Sequence, residues 1–232
     1  MKKKLTLHDL LPIVVVLVTC LVALTMIGFP IWINLTIAGI SVGLMIFLMA
    51  SGLTLIFGLM DVLNFAHAAL ITLAGYVTAS VYAVLTTWVT SSSLPLNILV
   101  VLVSAAVAML VAGLLGTVTE RIIIRPVYGS HLKHILATTC VLIIIQQLAI
   151  AIWGADLIYV PQPTELKKAI TFGRVFVENY RLLICIVGLL PLAAMIWTLD
   201  RSRLGLLVRA AVEDIEAVES LGYEVKYLFV GV

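Results

Sequence analysis

Apolar residues run almost without interruption through this chain, and the breaks between the runs define its elements. Six runs are long enough to cross a hydrocarbon core: Leu10–Phe29, Leu35–Met60, Phe65–Trp88, Leu96–Thr117, Ile135–Trp153 and Leu182–Leu199. A helix rises about 1.5 Å per residue, so about 20 residues span a core of about 30 Å. A seventh run starts near Tyr227 and reaches Val232. Pro30, the Ser91-Ser92-Ser93 run with Pro95, and the Pro161/Pro163 region punctuate the connections. Unpaired backbone groups are costly in lipid, so such runs read as transmembrane helices. The pattern predicts an all-α, polytopic transmembrane helix bundle forming a single domain over residues 1–232, with about six full spans plus the start of a seventh.

Composition and charge sharpen this reading. Hydrophobic residues make up 63% of the 232 positions and charged residues 11%, with a mean hydropathy of +1.22. Soluble domains carry about 45–50% apolar and about 25% charged residues. A soluble enzyme, a disordered tail and a nucleic-acid binder are all excluded. No Asp, Glu, Lys or Arg occurs between Asp9 and Asp61, or between Asp61 and Glu120, and each gap holds two spans.

Alternation from an inside N-terminus puts Lys2, Lys3, Lys4, Arg121, Arg125, Lys133, Arg201, Arg203, Arg209 and Lys226 on the inner side. Lys167, Lys168, Arg174 and Arg181 are left outside, so ten of the 14 basic residues lie within. That bias predicts the N-terminus inside. The run Leu10–Phe29 exceeds a signal h-region and lacks a small-x-small cleavage site, so it is expected to stay as a first span. Cys20, Cys140 and Cys185 fall singly in apolar runs and read as small buried hydrophobes.

The polar break between the second and third runs carries the first candidate chemistry. Asp61, Asn64 and His67 stand three residues apart, close to one face of a helix. One reading is a short turn with Asn64 as N-cap of the third span. The other is a helix interruption lining a polar pathway, where transporters often place substrate. A cap that opens a pathway-lining helix satisfies both. Gly39-x-x-x-Gly43 in the second span has the spacing that lets helices approach closely.

The residues here are similar to a known pattern. Gly52-Leu53-Thr54-Leu55-Ile56-Phe57-Gly58, then Asn64-Phe65-Ala66-His67 and Gly75-Tyr76, resemble the branched-chain amino-acid permease family of ABC importers. That family usually continues with glycine and an acidic residue, where this chain has Ala68 and Ala69. Glu120-Arg121 with Arg125-Pro126 resembles a further family segment, and Gln146-Gln147 stands where a Gln–Asn pair is common. A glutamine pair in a membrane helix reads first as interhelical glue, with substrate contact as the alternative. The resemblance implies a substrate pathway at Asn64, Phe65, Ala66 and His67.

A second segment lies after the sixth span. Leu204, Val208, Ala211, Ile215, Val218 and Leu221 recur every three or four residues, giving an apolar helical stripe with Gly222 placed as C-cap. Glu213, Asp214, Glu216 and Glu219 outnumber Arg209, so anionic lipid would repel this helix. A groove on another protein suits it better. Arg203-Leu204-Gly205, Arg209-Ala210, Asp214, Ala217 and Leu221-Gly222 resemble the coupling helix of the same family, which enters a cleft of the ATPase. By that resemblance residues 200–224 form the coupling helix, with Gly205, Arg209, Ala210, Asp214, Ala217 and Gly222 as the matched positions. Val218 replaces a common alanine.

The resemblance covers roughly residues 35 to 230. It implies a permease subunit in a bacterial or archaeal plasma membrane, moving branched-chain amino acids or a related small polar solute. Its implied partners are two ABC ATPase subunits, a second identical or homologous permease, an extracytoplasmic solute-binding protein and the lipid bilayer. The chain has no P-loop of its own, so ATP hydrolysis is expected on separate chains. No catalytic residue, cofactor, metal or nucleic acid is expected. His131-x-x-His134 has no carboxylate or thiolate beside it in sequence. Family members continue through further spans after the coupling helix, so C-terminal spans are expected beyond these 232 residues. Two other readings stay open: an ATPase-independent channel or secondary transporter titrating at Asp61 and His67, or an inactive, shortened subunit.

Overall fold

A computed structural model describes residues 7–60, 63–127, 130–202, 205–207 and 209–210. Among the described residues seven α-helices follow one another: α1 (Leu7–Ile27), α2 (Phe29–Met60), α3 (Ala66–Val84), α4 (Thr86–Val89), α5 (Leu94–Thr119), α6 (His131–Trp153) and α7 (Asn179–Arg201). Five of them are long and apolar enough to cross a membrane, and α1 adds a shorter apolar stretch, Val14–Ile27. The molecule is an all-α polytopic bundle, as the apolar runs predict. The seventh run, near Tyr227, lies outside the described residues.

Local chemistry explains most boundaries. Gly28, with φ +72°, takes the left-handed turn that separates α1 from α2. The Trp32 indole N–H then donates to the Cys20 carbonyl at 2.9 Å, stapling the two helices together. The third predicted span is not continuous: it breaks at Leu85 into α3 and the short α4. The fourth is longer than its apolar run. α5 continues as a π-helical turn, Glu120–Ile124, and a 3-10 turn, Arg125–Val127. Pro126 lacks an N–H and its ring crowds the carbonyl four residues back, so an ordinary α-helix cannot run through it. The helix widens and then tightens instead.

Two further expectations change. The long connection between α6 and α7 holds a hairpin, β1 (Ala169–Phe172) against antiparallel β2 (Val175–Glu178), with Phe172 opposite Val175 and Gly173 at φ +63° in the turn. The cysteines are not buried: Cys140 is exposed, Cys20 and Cys185 half-exposed. A thiol is apolar enough to sit on a lipid-facing surface, which the apolar character of the runs does not distinguish from a core.

The packing falls into two groups. Ala66, Ala69 and Leu73 of α3 form a buried cluster with Val141 and Ile145 of α6, and Val111 and Leu115 of α5 pack against it. Elsewhere α2 lies along α7, where a Cβ on Gly188 would come within 2.7 Å of the Leu44 Cβ. One end of the bundle is tied by Asn97, fully buried at the start of α5. Its amide donates to the carbonyls of Trp88 (2.8 Å) and Ser91 (3.1 Å), and its oxygen accepts the Glu165 N–H at 2.6 Å. Asn179 then donates to the Glu165 carbonyl at 3.0 Å, fastening the loop to the start of α7.

Candidate functional site: the break before the third helix

The break is built by Asn64. Its side-chain oxygen accepts the Ala66 N–H at 3.0 Å, and its carbonyl accepts the His67 N–H at 3.2 Å. Phe65 already has helical dihedrals (φ −67°, ψ −21°), so the carboxamide caps the second residue of the helical turn. Leu63 and Asn64 themselves are not helical, and Asp61 lies outside the described residues.

The four motif residues do not share a surface. Phe65 is 42% exposed, whereas Ala66 is 1% exposed and belongs to the α3–α6 core. His67 turns to α2, its Nε2 lying 3.2 Å from the Met49 carbonyl oxygen. A carbonyl only accepts, so Nε2 carries a proton in this contact. The imidazole lies against Gly52, where a Cβ would stand 2.7 Å from Cε1 and 3.0 Å from Nε2. Glycine at 52 is what lets the ring reach the helix backbone.

A cleft of about 470 Å³ opens on another face of α3, lined by Thr72, Gly75, Tyr76, Ala79 and, from the loop after α6, residues 155–158 and Val160. At about 100° per residue, these α3 positions sit roughly 130° around the helix from His67. Tyr76 is held by Trp153, with ring centroids 5.2 Å apart, and the Trp153 N–H donates to Ser80 Oγ at 2.8 Å. Asp156 is the one charged residue in the lining. Residues Gly75 and Tyr76 belong to the motif read from sequence. The loop wall at Ala155–Val160 carries no sequence signal, because it is brought back beside α3 only by the end of α6.

The departures from the family pattern have a packing correlate. Ala69, at the position where an acidic residue is usual, is 1% exposed between α3 and α6. A carboxylate there would lack a charged partner in the cluster. Gln146 and Gln147 are exposed on α6, and neither amide hydrogen-bonds to a described residue. Among the described residues they join no two helices. The Glu120–Arg121 and Arg125–Pro126 segment falls on the π and 3-10 turns.

Beyond the C-terminal end of α7, Gly205 is buried while Arg209 and Ala210 are more open. Arg209 lies 3.7 Å from the Asp200 carboxylate. Asp214, Ala217 and Gly222 are outside the described residues. Among the described residues no group of three or more His, Cys, Asp or Glu could hold a metal ion.

Comparison with known proteins bears on the same regions. Residues 35–232 match the family described as "Branched-chain amino acid transport system / permease component". The chain is also 28% identical over 189 residues to the high-affinity branched-chain amino acid transport system permease protein BraD of Pseudomonas aeruginosa. That alignment covers 79% of the chain and 60% of the relative, so the chain spans less than two thirds of that protein's length. No solved structure matches.

Proposed function

From a chain that belongs to the branched-chain amino acid transport system permease component family, we propose a membrane-spanning permease subunit of an ABC importer. Its substrates are branched-chain amino acids or a related small polar solute. The carrying observation is the family match over residues 35–232, which takes in both the Asn64–His67 break and the segment after α7. Two ATPase chains, a second permease and an external solute-binding protein complete the assembly. The basic residues favour the N-terminus inside.

In this reading ATP-driven closure of the ATPases moves the coupling segment, residues 200–224, and rocks the helices around a pathway beside α3. The Asn64 cap fixes where α3 begins, and the exposed glutamines of α6 face the pathway or the second permease. Polar groups at membrane depth commonly mark such places.

The test is reconstitution with the candidate ATPase and binding protein, followed by uptake of labelled leucine or valine. ATP-dependent uptake supports the reading. Uptake driven by a proton gradient with no ATPase present would replace it with a secondary transporter.

A further inference from the structure

The corner between α7 and the segment that follows it is built from a few tightly placed residues. Ser202 closes α7, its N–H and hydroxyl both donating to the Thr198 carbonyl, at 3.3 Å and 2.6 Å. The same hydroxyl oxygen accepts the Gly205 N–H at 3.1 Å, and the Ser202 carbonyl accepts the Leu206 N–H at 3.3 Å. Ser202 has extended dihedrals (φ −94°, ψ 160°), so one residue is C-cap of α7 and N-cap of the next helical stretch. Serine suits both roles because its hydroxyl donates and accepts at once.

Gly205 sets how sharply the chain turns. A Cβ there would run into the carbonyl oxygens of Leu199 and Thr198 and lie 2.6 Å from the Leu199 carbonyl carbon. These are backbone atoms of the last turn of α7 and have no rotamer to yield. Arg209 then reaches back 3.7 Å to Asp200 across the corner. Both side chains are more than half exposed, so this pair trims the angle rather than holding it.

We infer that Gly205 and Ser202 are positioning residues. They form a fixed elbow against α7 itself, so that a push on the following helix turns α7 rather than bending the joint. This rests on the proposed coupling role, but it reassigns Gly205: its smallness serves the close approach to α7, not entry into an ATPase cleft. Since α7 lies along α2 at Gly188 and Leu44, and α2 holds His67, the elbow has a packed route toward α3.

Two measurements separate this inference from the functional reading. The first uses the intact permease, with its three cysteines replaced, spin-labelled at the exposed positions Trp197 and Leu206. Pulsed dipolar spectroscopy is expected to give one narrow distance. It should stay narrow in Ser202→Thr and broaden or shift in Ser202→Ala and Gly205→Ala. An unchanged distribution in both of the latter overturns the elbow, whether or not the protein transports.

The second uses the assembled transporter. Gly205→Ala is expected to retain the ATPase on co-purification while uptake per ATP hydrolysed falls at least tenfold. Ser202→Thr should preserve that ratio. Loss of the ATPase from the Gly205→Ala complex, or an unchanged ratio, overturns the inference.

Discussion

His67 occupies the space that any side chain at Gly52 would need: a Cβ at residue 52 would lie 2.7 Å from the imidazole Cε1. The contact joins the start of α3 to the C-terminal half of α2, and the His67 Nε2–Met49 carbonyl bond at 3.2 Å lies beside it. The two helix groups, α2 with α7 and α3 with α5 and α6, therefore meet here through one ring and one missing Cβ.

Gly52→Ala is expected to expel the imidazole and cost about 1–2 kcal/mol of stability, mostly the lost hydrogen bond. The cost should shrink in a His67→Ala background, because the ring is what the new methyl meets. Thermal unfolding of the four proteins in lipid nanodiscs gives the coupling energy. Strict additivity would show that the contact does not hold the two helices together.

Gly188→Ala is expected to force α7 off α2, since the new Cβ would lie 2.7 Å from the Leu44 Cβ, an atom fixed to the backbone. Overpacking of this kind costs about 1–3 kcal/mol. Leu44→Gly should recover part of the loss and Leu44→Ala little of it, because alanine keeps the offending atom. Melting temperatures of the paired variants discriminate the two.

Asn97→Leu is expected to release the loop between α6 and α7. The substitution removes two bonds to carbonyls and one from the Glu165 N–H. Leaving such buried groups unpaired costs about 1–3 kcal/mol each, less what water recovers. Hydrogen exchange should accelerate at Glu165 and its neighbours while the α3–α6 cluster keeps its protection. Protection lost equally throughout would mean the loop is not separately held.

Ala69→Glu, which restores the acidic character usual in the family, is expected to lower folded yield in the membrane. The site is 1% exposed among Ala66, Leu73, Val141 and Ile145. Burial of an uncompensated carboxylate costs several kcal/mol. Ala69→Ser, small and able to bond its own helix carbonyls, should be tolerated. Yield of monodisperse protein after extraction measures both.

The apolar runs by themselves determined that this is a multi-pass helical membrane protein. Hydrocarbon permits only backbones that satisfy their own hydrogen bonds, and the charge-free stretches between Asp9, Asp61 and Glu120 leave no other solution. The Asn64 cap was also legible, because capping is local chemistry acting over two residues. The fate of Phe65, Ala66 and His67 was not, since lipid, core and pathway all accept the same apolar run. Only tertiary packing put Ala66 in the core, Phe65 outside it and His67 on Gly52. Close approaches such as Gly188 on Leu44, or Gly205 on the end of α7, depend on which backbones meet. A glycine in sequence states only that no side chain stands there, and its neighbours across the fold decide why.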